Sequence, residues 1–373
     1  MKHQSTSDRG RQPVASRPAP TVAALIRRVA QTFERAGLHY GHGTDNAHDE
    51  AASLVFHAAD IAHGEAPAAY DWPVGDKARA RLAGLVRLRI EERIPAPYLT
   101  GRTWFAGHEI RVDRRALIPR SPLAEFIRDR GAPFLVAGRV ERILDLGTGS
   151  GCIAIAAAHA FRRARVDATD VSRDALDLAA ENVRRHRLGK RLALVQADVF
   201  EGLPAGRYDL ILANPPYVPA ATVRRLPDEY RHEPASGLAA GRDGLSVVRR
   251  ILAGAARRLA NGGLLVVEVG DSERAVARAF PTVPFLWLEF EHGGGGVFLL
   301  DQRTVARHAK AFAESAAAKG TSAGAAVTRP RPKTKTKAKA KAKAKRKGKA
   351  KPGTPAPSRR VAAATTRGPS RVR

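Results

Sequence analysis

Cysteine is almost absent from this 373-residue chain: Cys152 is the only one. An intramolecular disulfide framework and a multi-cysteine zinc site are both excluded, and a reducing, cytoplasmic compartment is expected. Long apolar runs are missing as well. No stretch of about 18 consecutive apolar residues occurs, which argues against a transmembrane helix and against a membrane partner. The first 20 residues lack the ~7–15-residue apolar core of a secretory signal, so they are expected to be a disordered leader. No internal repeat stands out at a ~20–50-residue period. Acidic residues are absent from 321–373, a segment that holds 18 Lys and Arg. The net charge of +28 is therefore concentrated there, and residues 1–320 carry 46 basic against 36 acidic groups. Lysine at every second position in KTKTKAKAKAKAKRKGKAK allows no apolar face, and a disordered basic tail is expected.

What remains is long enough to bury a sizeable core. Thr21 stands as an N-cap before Leu25, Ile26, Val29 and Phe33 at helical spacing, and Gly37 closes that helix. Two more helices are predicted at 45–60 and 76–93. Residues 21–97 thus form a small helical domain, ended by Pro95 and Pro97, and 98–122 reads as a hairpin linker. From 123 to 303 strands alternate with helices: strands at 140–146, 165–169, 192–196, 208–213, 263–269, 285–290 and 296–300, helices at 153–161, 172–186 and 245–259. That alternation predicts an α/β domain with a mostly parallel, doubly wound sheet. A helix over 304–320 precedes the tail.

The segment ILDLGTGSGCIAIA, 143–156, puts Gly147, Gly149 and Gly151 between a strand and a helix, where the chain must turn tightly and let a ligand approach its backbone. The spacing D-x-G-x-G-x-G, starting at Asp145, is neither G-x-G-x-x-G nor a P-loop, so phosphate is not the obvious ligand. Nineteen residues after Gly151, Asp170 ends the next strand, where a carboxylate can accept both hydroxyls of a ribose. Asp198, after the third strand, can accept from an adenine amino group beside the apolar Val199. Either acid alone could simply cap a helix. In series they describe a nucleoside pocket. The stretch 140–300 resembles the S-adenosylmethionine-dependent methyltransferase fold, a Rossmann-like domain. That resemblance implies a seven-stranded sheet with its last strand antiparallel, and S-adenosylmethionine held by Gly147, Thr148, Gly149, Ser150, Gly151, Asp170, Asp198, Val199 and Asn214. Cys152 reads as packing.

Asn214-Pro215-Pro216-Tyr217 follows the strand 208–213 and sits at its carboxyl end. A planar amide or aromatic amine nitrogen is a poor nucleophile and must pyramidalise to attack a methyl sulfonium. Acceptors against its two N–H groups favour that change and stabilise the positive charge developing on nitrogen. Asn214 supplies a side-chain carbonyl and Pro215 a backbone carbonyl. Proline has no N–H and a fixed φ, so Pro215 and Pro216 hold that backbone without adding a competing donor. The Tyr217 ring can pack on a flat substrate group. Adenine and a glutamine carboxamide both present such an NH₂, and the motif alone does not separate them.

The flanking segments do. YLTGRTWFAGHEIRVDRRALIPRSPLAEFI (98–127) resembles the linker of protein-glutamine methyltransferases, a family with one branch acting on peptide-chain release factors and one on large-subunit ribosomal protein three. The release-factor branch usually has PRPET where this chain has PRSPL (119–123). DEYRHEPASGLAAGRDGL (228–245), VEVGDSE (267–273) and WLEFEHGGGGVFLL (287–300) also resemble the ribosomal-protein branch. The resemblance implies methyl transfer to a glutamine side-chain nitrogen of that ribosomal protein, with Asn214, Pro215 and Tyr217 holding the amide. It also implies that Phe105 closes the pocket, although Phe105 could equally be hairpin core. Arg120 would position cofactor or substrate, or stand as a solvated linker residue. Alternatives are a release-factor methyltransferase, an adenine methyltransferase acting on nucleic acid, and a non-catalytic RNA-binding or assembly factor. No metal ligand set is expected, because His39, His42, His48, His57 and His63 recur at irregular spacing without matching acids or cysteines. The tail is expected either to contact ribosomal RNA through its charge or to be a neutral extension.

Overall fold

A computed structural model describes residues 18–291 and 293–320 of the chain. The expectations for the leader before residue 18 and for the basic tail at 321–373 lie outside the described residues. The chain enters α1 (Val22–Arg35) through Thr21, whose side chain accepts the Ala24 N–H at 3.3 Å. Leu25, Ile26, Val29 and Phe33 recur on one face, and all four are buried. Asn46 caps α2 (Ala47–Ala58) by accepting the Asp49 N–H at 2.9 Å, and Asp49 and Glu50 in the first turn suit the positive end of the helix. The short α3 (Ala66–Ala69) and the longer α4 (Asp76–Glu91) follow. Leu54, Val55 and Leu82 join the buried face of α1 in one apolar core.

The hairpin is shorter than the 98–122 span expected from the sequence. Pro97 falls in the first turn of a short helix, α5 (Ala96–Thr100), where the missing N–H forfeits no hydrogen bond. Gly101, at φ +71°, ends that turn. Only β1 (Arg102–Phe105) and β2 (His108–Arg111) then pair, antiparallel, with Phe105 opposite His108.

The α/β part begins with α6 (Leu123–Arg128) and continues through β3 (Arg142–Leu146), α7 (Cys152–Ala160), β4 (Arg165–Asp170), α8 (Arg173–Arg185), β5 (Leu192–Gln196) and β6 (Tyr208–Ala213). After α9 (Ala220–Val223) come α10 (Ser246–Arg258), β7 (Leu259–Glu268), α11 (Glu273–Ala279), β8 (Leu286–Leu288), β9 (Val297–Asp301), α12 (Gln302–Arg307) and α13 (Ala309–Gly320). The seven strands lie in the order β5-β4-β3-β6-β7-β9-β8, and β9 runs antiparallel to both its neighbours. This is the doubly wound sheet that the alternation predicts.

Side chains on successive strand residues enter opposite cores, as a period of two requires. Leu210, Leu212, Leu264 and Val266 pack in one apolar cluster with α6 and α7 residues such as Phe126 and Ile153. Ile211, Leu265, Val267 and Phe298 pack in the other, with Val248 and Ile251 of α10 and Phe312 of α13. Each such fully buried side chain contributes about 1.5–3 kcal/mol over leaving it in water. No described helix is long and apolar enough to cross a membrane.

A buried polar network joins the helical part to the α/β part through the protein interior. Arg89 of α4 is fully buried, and its guanidinium donates to Glu50 Oε1 (2.5 Å), Glu229 Oε1 (3.1 Å) and the His39 carbonyl (2.8 Å). Removing the cation would strand the Glu50 carboxylate away from water and leave Glu229 with only the His39 N–H and the more distant Arg93 at 3.7 Å. Arg89→Met should therefore destabilise the protein by about 3–5 kcal/mol in urea unfolding at neutral pH. A loss below about 1 kcal/mol would mean that water reaches those carboxylates without the arginine.

Candidate functional site

A cavity of about 410 Å³ opens at the carboxyl edge of the sheet, within the usual range for a small-molecule site. Four consecutive strands of the sheet feed it. β3 pairs with β4 so that Leu146 lies opposite Thr169, and with β6 so that Leu146 lies opposite Ala213. β4 pairs with β5, setting Asp170 opposite Gln196. The loops leaving these strands carry Gly147–Gly151, Asp170, Asp198–Val199 and Asn214–Tyr217, and residues from all four line the cavity.

Gly147, Gly149 and Gly151 all take positive φ (+72°, +55° and +84°), a region that favours glycine. At Gly147 an added Cβ would meet no protein atom within 4 Å, whereas at Gly151 it would press on the Ala179 Cβ at 3.2 Å. The first glycine leaves room for a ligand against the backbone, and the third lets α8 pack close. The ends of the loop are held by Asp145, which is fully buried and accepts from Thr148 Oγ1 (2.6 Å) and the Ala154 N–H (3.1 Å). Burial pushes its carboxyl up to about 7, against those two hydrogen bonds. Asp170 accepts the Ser172 N–H on one oxygen and the Gly149 N–H on the other, both at 2.9 Å. Each of its oxygens keeps a second lone pair for a ligand.

Asp198 lines the cavity but is not free: Arg250 of α10 donates to its Oδ1 at 2.8 Å. Val199 beside it stands at φ +56°, a strained region for a β-branched residue, so the loop is held by its surroundings rather than by preference. Cys152 also touches the cavity, yet burial pushes its thiol up to about 12 and leaves it a packing residue.

Asn214 reaches the cavity with its side-chain amide making no hydrogen bond to another described residue. Pro215 and Pro216 line the wall beside it. The Tyr217 hydroxyl donates to Glu268 Oε1 at 3.1 Å, and Ser121 donates to the other oxygen of the same carboxylate at 2.5 Å. Gly270 makes room for the tyrosine, since a Cβ there would lie 2.7 Å from the ring. Ser272 Oγ donates to the Tyr217 carbonyl at 3.0 Å, fixing the main chain as well as the ring.

The opposite wall comes from outside the sheet, from 115–121 and from 226–238. Glu233 joins these two segments by accepting both Arg120 Nη1 (2.6 Å) and Nη2 (2.7 Å) and the Ile118 N–H (3.0 Å). His42, from the segment between α1 and α2, stands 3.6 Å from the same carboxylate. Burial alone would raise the Glu233 pKa, but His42 and Arg120 outweigh it and hold it down to about 2. Arg120 therefore lines the cavity as the half-buried partner of the buried Glu233, not as a solvated linker residue. Phe105 does not line the cavity. It is 4% exposed and packs in the same core as Ile110, Leu123 and Ile143, which is the hairpin-core alternative.

A family model described as "Methyltransferase small domain" matches residues 128–226. A ribosomal protein uL3 glutamine methyltransferase of Xanthomonas campestris pv. campestris is 44% identical over 299 residues, covering 80% of this chain and 97% of the relative. Relatives of the same name come from Bordetella pertussis (46% over 281 residues, 75% of this chain and 94% of that one) and Xylella fastidiosa (45% over 296 residues, 79% and 95%). This chain belongs to that family of glutamine methyltransferases.

Sequence reading for this member of the glutamine methyltransferase family misses Glu233, Glu268 and Tyr230, the last lying under the Arg120 guanidinium at 5.4 Å. The acids fall within the segments 228–245 and 267–273 that resemble the ribosomal-protein branch, but nothing local in the sequence marks them as buried. Glu268 gives a test. Burial pushes its carboxyl from 4.5 up to about 7 despite the hydrogen bonds from Ser121 and Tyr217. Between those two values the unfolded chain has released the proton and the folded one has not, so stability falls as pH rises. Glu268→Gln keeps an acceptor for Tyr217 and removes the buried charge. Its melting-temperature advantage over wild type should grow between about pH 5 and about pH 8, by the equivalent of about 3 kcal/mol at most. An advantage that does not change with pH would contradict this.

Proposed function

We propose that this chain transfers a methyl group from S-adenosylmethionine to the side-chain amide nitrogen of a glutamine in ribosomal protein uL3. One observation carries the reading: the Asn214–Tyr217 turn and the Gly147–Gly151 loop line a single cavity. The residues fit the cofactor. The glycine loop has an open face at Gly147, Asp170 keeps lone pairs for a ribose, and Asp198 keeps one oxygen beyond its bond to Arg250. Bound there, S-adenosylmethionine supplies an electrophilic methyl group on a sulfonium.

The chain's own residues do the rest. The Asn214 side-chain carbonyl and the Pro215 backbone carbonyl accept the two N–H bonds of the glutamine amide. That draws its nitrogen out of conjugation and offsets the positive charge that develops on it. Pro215 and Pro216 keep the turn rigid and offer no N–H to compete. Tyr217 packs its ring along the carboxamide, held at its hydroxyl by Glu268. Residues 21–97 would recognise the substrate protein. Support for that role comes from His39, His42 and Arg89, which meet Glu229 and Glu233 beside the cavity wall at 226–238.

The division of labour is testable. Asp170→Ala should weaken S-adenosylmethionine binding at least about tenfold, because it also frees the Gly149 and Ser172 amides. Asn214→Ala should lower kcat by about 10²-fold while cofactor affinity changes little. Calorimetric titration and single-turnover assays distinguish the two, and equal loss of cofactor binding in both variants would count against the assignment. With labelled cofactor and unmodified uL3, release factor or DNA, the label should fall on one glutamine of uL3. Preference for release factors or for adenine would replace the proposed substrate.

The basic segment 321–373 supports a further expectation, namely contact with ribosomal RNA through charge alone. Truncation after Gly320 should leave kcat on isolated uL3 unchanged and reduce sedimentation with ribosomal precursors at low salt. Equal sedimentation of both forms across a salt series would remove that role.

A further inference from the structure

Three histidines that methyl transfer leaves unused come together beside the hairpin. His108 begins β2, His159 lies in the last turn of α7, and His186 caps the end of α8. Each offers one ring nitrogen, and the three atoms lie within 4.8 Å of one another. All three side chains are half-buried, and none lines the cavity. These are not the histidines that draw attention in the sequence, because they lie far apart along the chain.

We propose that His108, His159 and His186 bind one divalent transition-metal ion of the zinc class, which clamps the β1–β2 hairpin to α7 and α8. The tautomer of His186 comes first. Its Nε2 is 2.9 Å from the Glu109 carbonyl, which can only accept, so Nε2 carries the proton and the neutral ring presents the Nδ1 lone pair. A ring nitrogen donating to a backbone carbonyl while the other faces the metal is the usual outer-shell arrangement of a ligating histidine. The His186 Nδ1 stands 3.4 Å from His159 Nε2. That is long for an N–H hydrogen bond. It matches the roughly 3.3 Å chord between two ligands of a tetrahedral ion at Zn–N distances of about 2.0–2.1 Å. His108, whose ring stacks on His159 with centroids 4.4 Å apart, would turn its nitrogen about its side-chain torsions to supply the third bond. Water would take the fourth position.

Electrostatics and ligand chemistry agree with that class. His159 and His186 both sit at helix C-termini, where the negative end of the peptide dipoles favours a cation. Arg162 and Arg191 near His159 oppose a cation. Arg191 is already committed to the Ala158 and Ala164 carbonyls at 2.8 and 3.1 Å. Three nitrogens without a carboxylate suit Zn²⁺, Ni²⁺, Co²⁺ or Cu²⁺ and not Mg²⁺ or Ca²⁺. The mechanical consequence follows from α8, whose Asn182 donates to the Arg111 and Ser150 carbonyls at 2.9 Å and accepts the Arg111 N–H at 2.8 Å. Asn182 and His186, four residues apart on one helix face, therefore grip Arg111 and Glu109 of one strand, and a metal would lock that grip.

The test uses the full-length, tag-free chain, washed with chelator and titrated with Zn²⁺ in a calorimeter. One equivalent should bind, His159→Gln and His186→Gln should each weaken it about 100-fold, and His57→Gln should not. Near a hundredfold excess over Kd, Zn²⁺ should raise the Tm of the wild type by roughly 5 °C, and that of the double variant His159→Gln/His186→Gln not at all. Retained S-adenosylmethionine binding would show that the variants are folded. In the wild type, saturating Zn²⁺ should protect His108, His159 and His186 from diethyl pyrocarbonate, mapped by mass spectrometry, while the exposed His48 stays reactive. No stoichiometric binding, undiminished binding by the double variant, or no protection of the three histidines would each overturn the proposal.

Discussion

The parallel pairing of β3 with β6 is the constraint on which the rest of the site depends. Because Leu146 lies opposite Ala213, the residues that follow, Gly147 and Asn214, leave the sheet side by side. A slip of one residue would exchange the buried faces of β6 and send Leu210 and Leu212 into the wrong core, so burial on both faces fixes the register. The close approach of two segments 63 or more residues apart is thus enforced by apolar packing remote from the chemistry.

Around that junction the walls are tied by buried carboxylates, each used in a different way. Asp145 and Asp170 hold the glycine loop through backbone and hydroxyl donors. Glu268 holds Tyr217 through neutral donors only, and burial dominates its ionisation. Glu233 faces Arg120 and His42, and their proximity outweighs the same desolvation. Two carboxylates of similar burial therefore sit on opposite sides of the ordinary range because of what faces them.

The wall at 226–238 has little regular structure of its own, and buried ion pairs supply what a sheet or helix ladder would otherwise give. Glu229 reaches Arg89 and the His39 N–H, while Glu233 reaches Arg120, the Ile118 N–H and His42. The helical part and the hairpin linker are thereby coupled to the rim of the cavity. Breaking one partner leaves the other charge buried, which makes these contacts costly to lose even where their net contribution is modest.

The sequence by itself determined the alternation of strands and helices, the tight glycine turn at Gly147–Gly151, the cap at Thr21, and the placing of Asn214–Tyr217 after a strand. These are local properties, since periodicity, glycine and proline act within a few residues. It did not separate the two fates of Phe105, because an apolar residue reads the same whether it faces a core or a pocket. It also did not show the Arg250 contact to Asp198, the short helix over 96–100, the roles of Glu233 and Glu268, or the meeting of His108, His159 and His186. Each of these depends on which segments the sheet order brings together, and only the tertiary structure decided that, because burial and charge pairing are properties of neighbours in space.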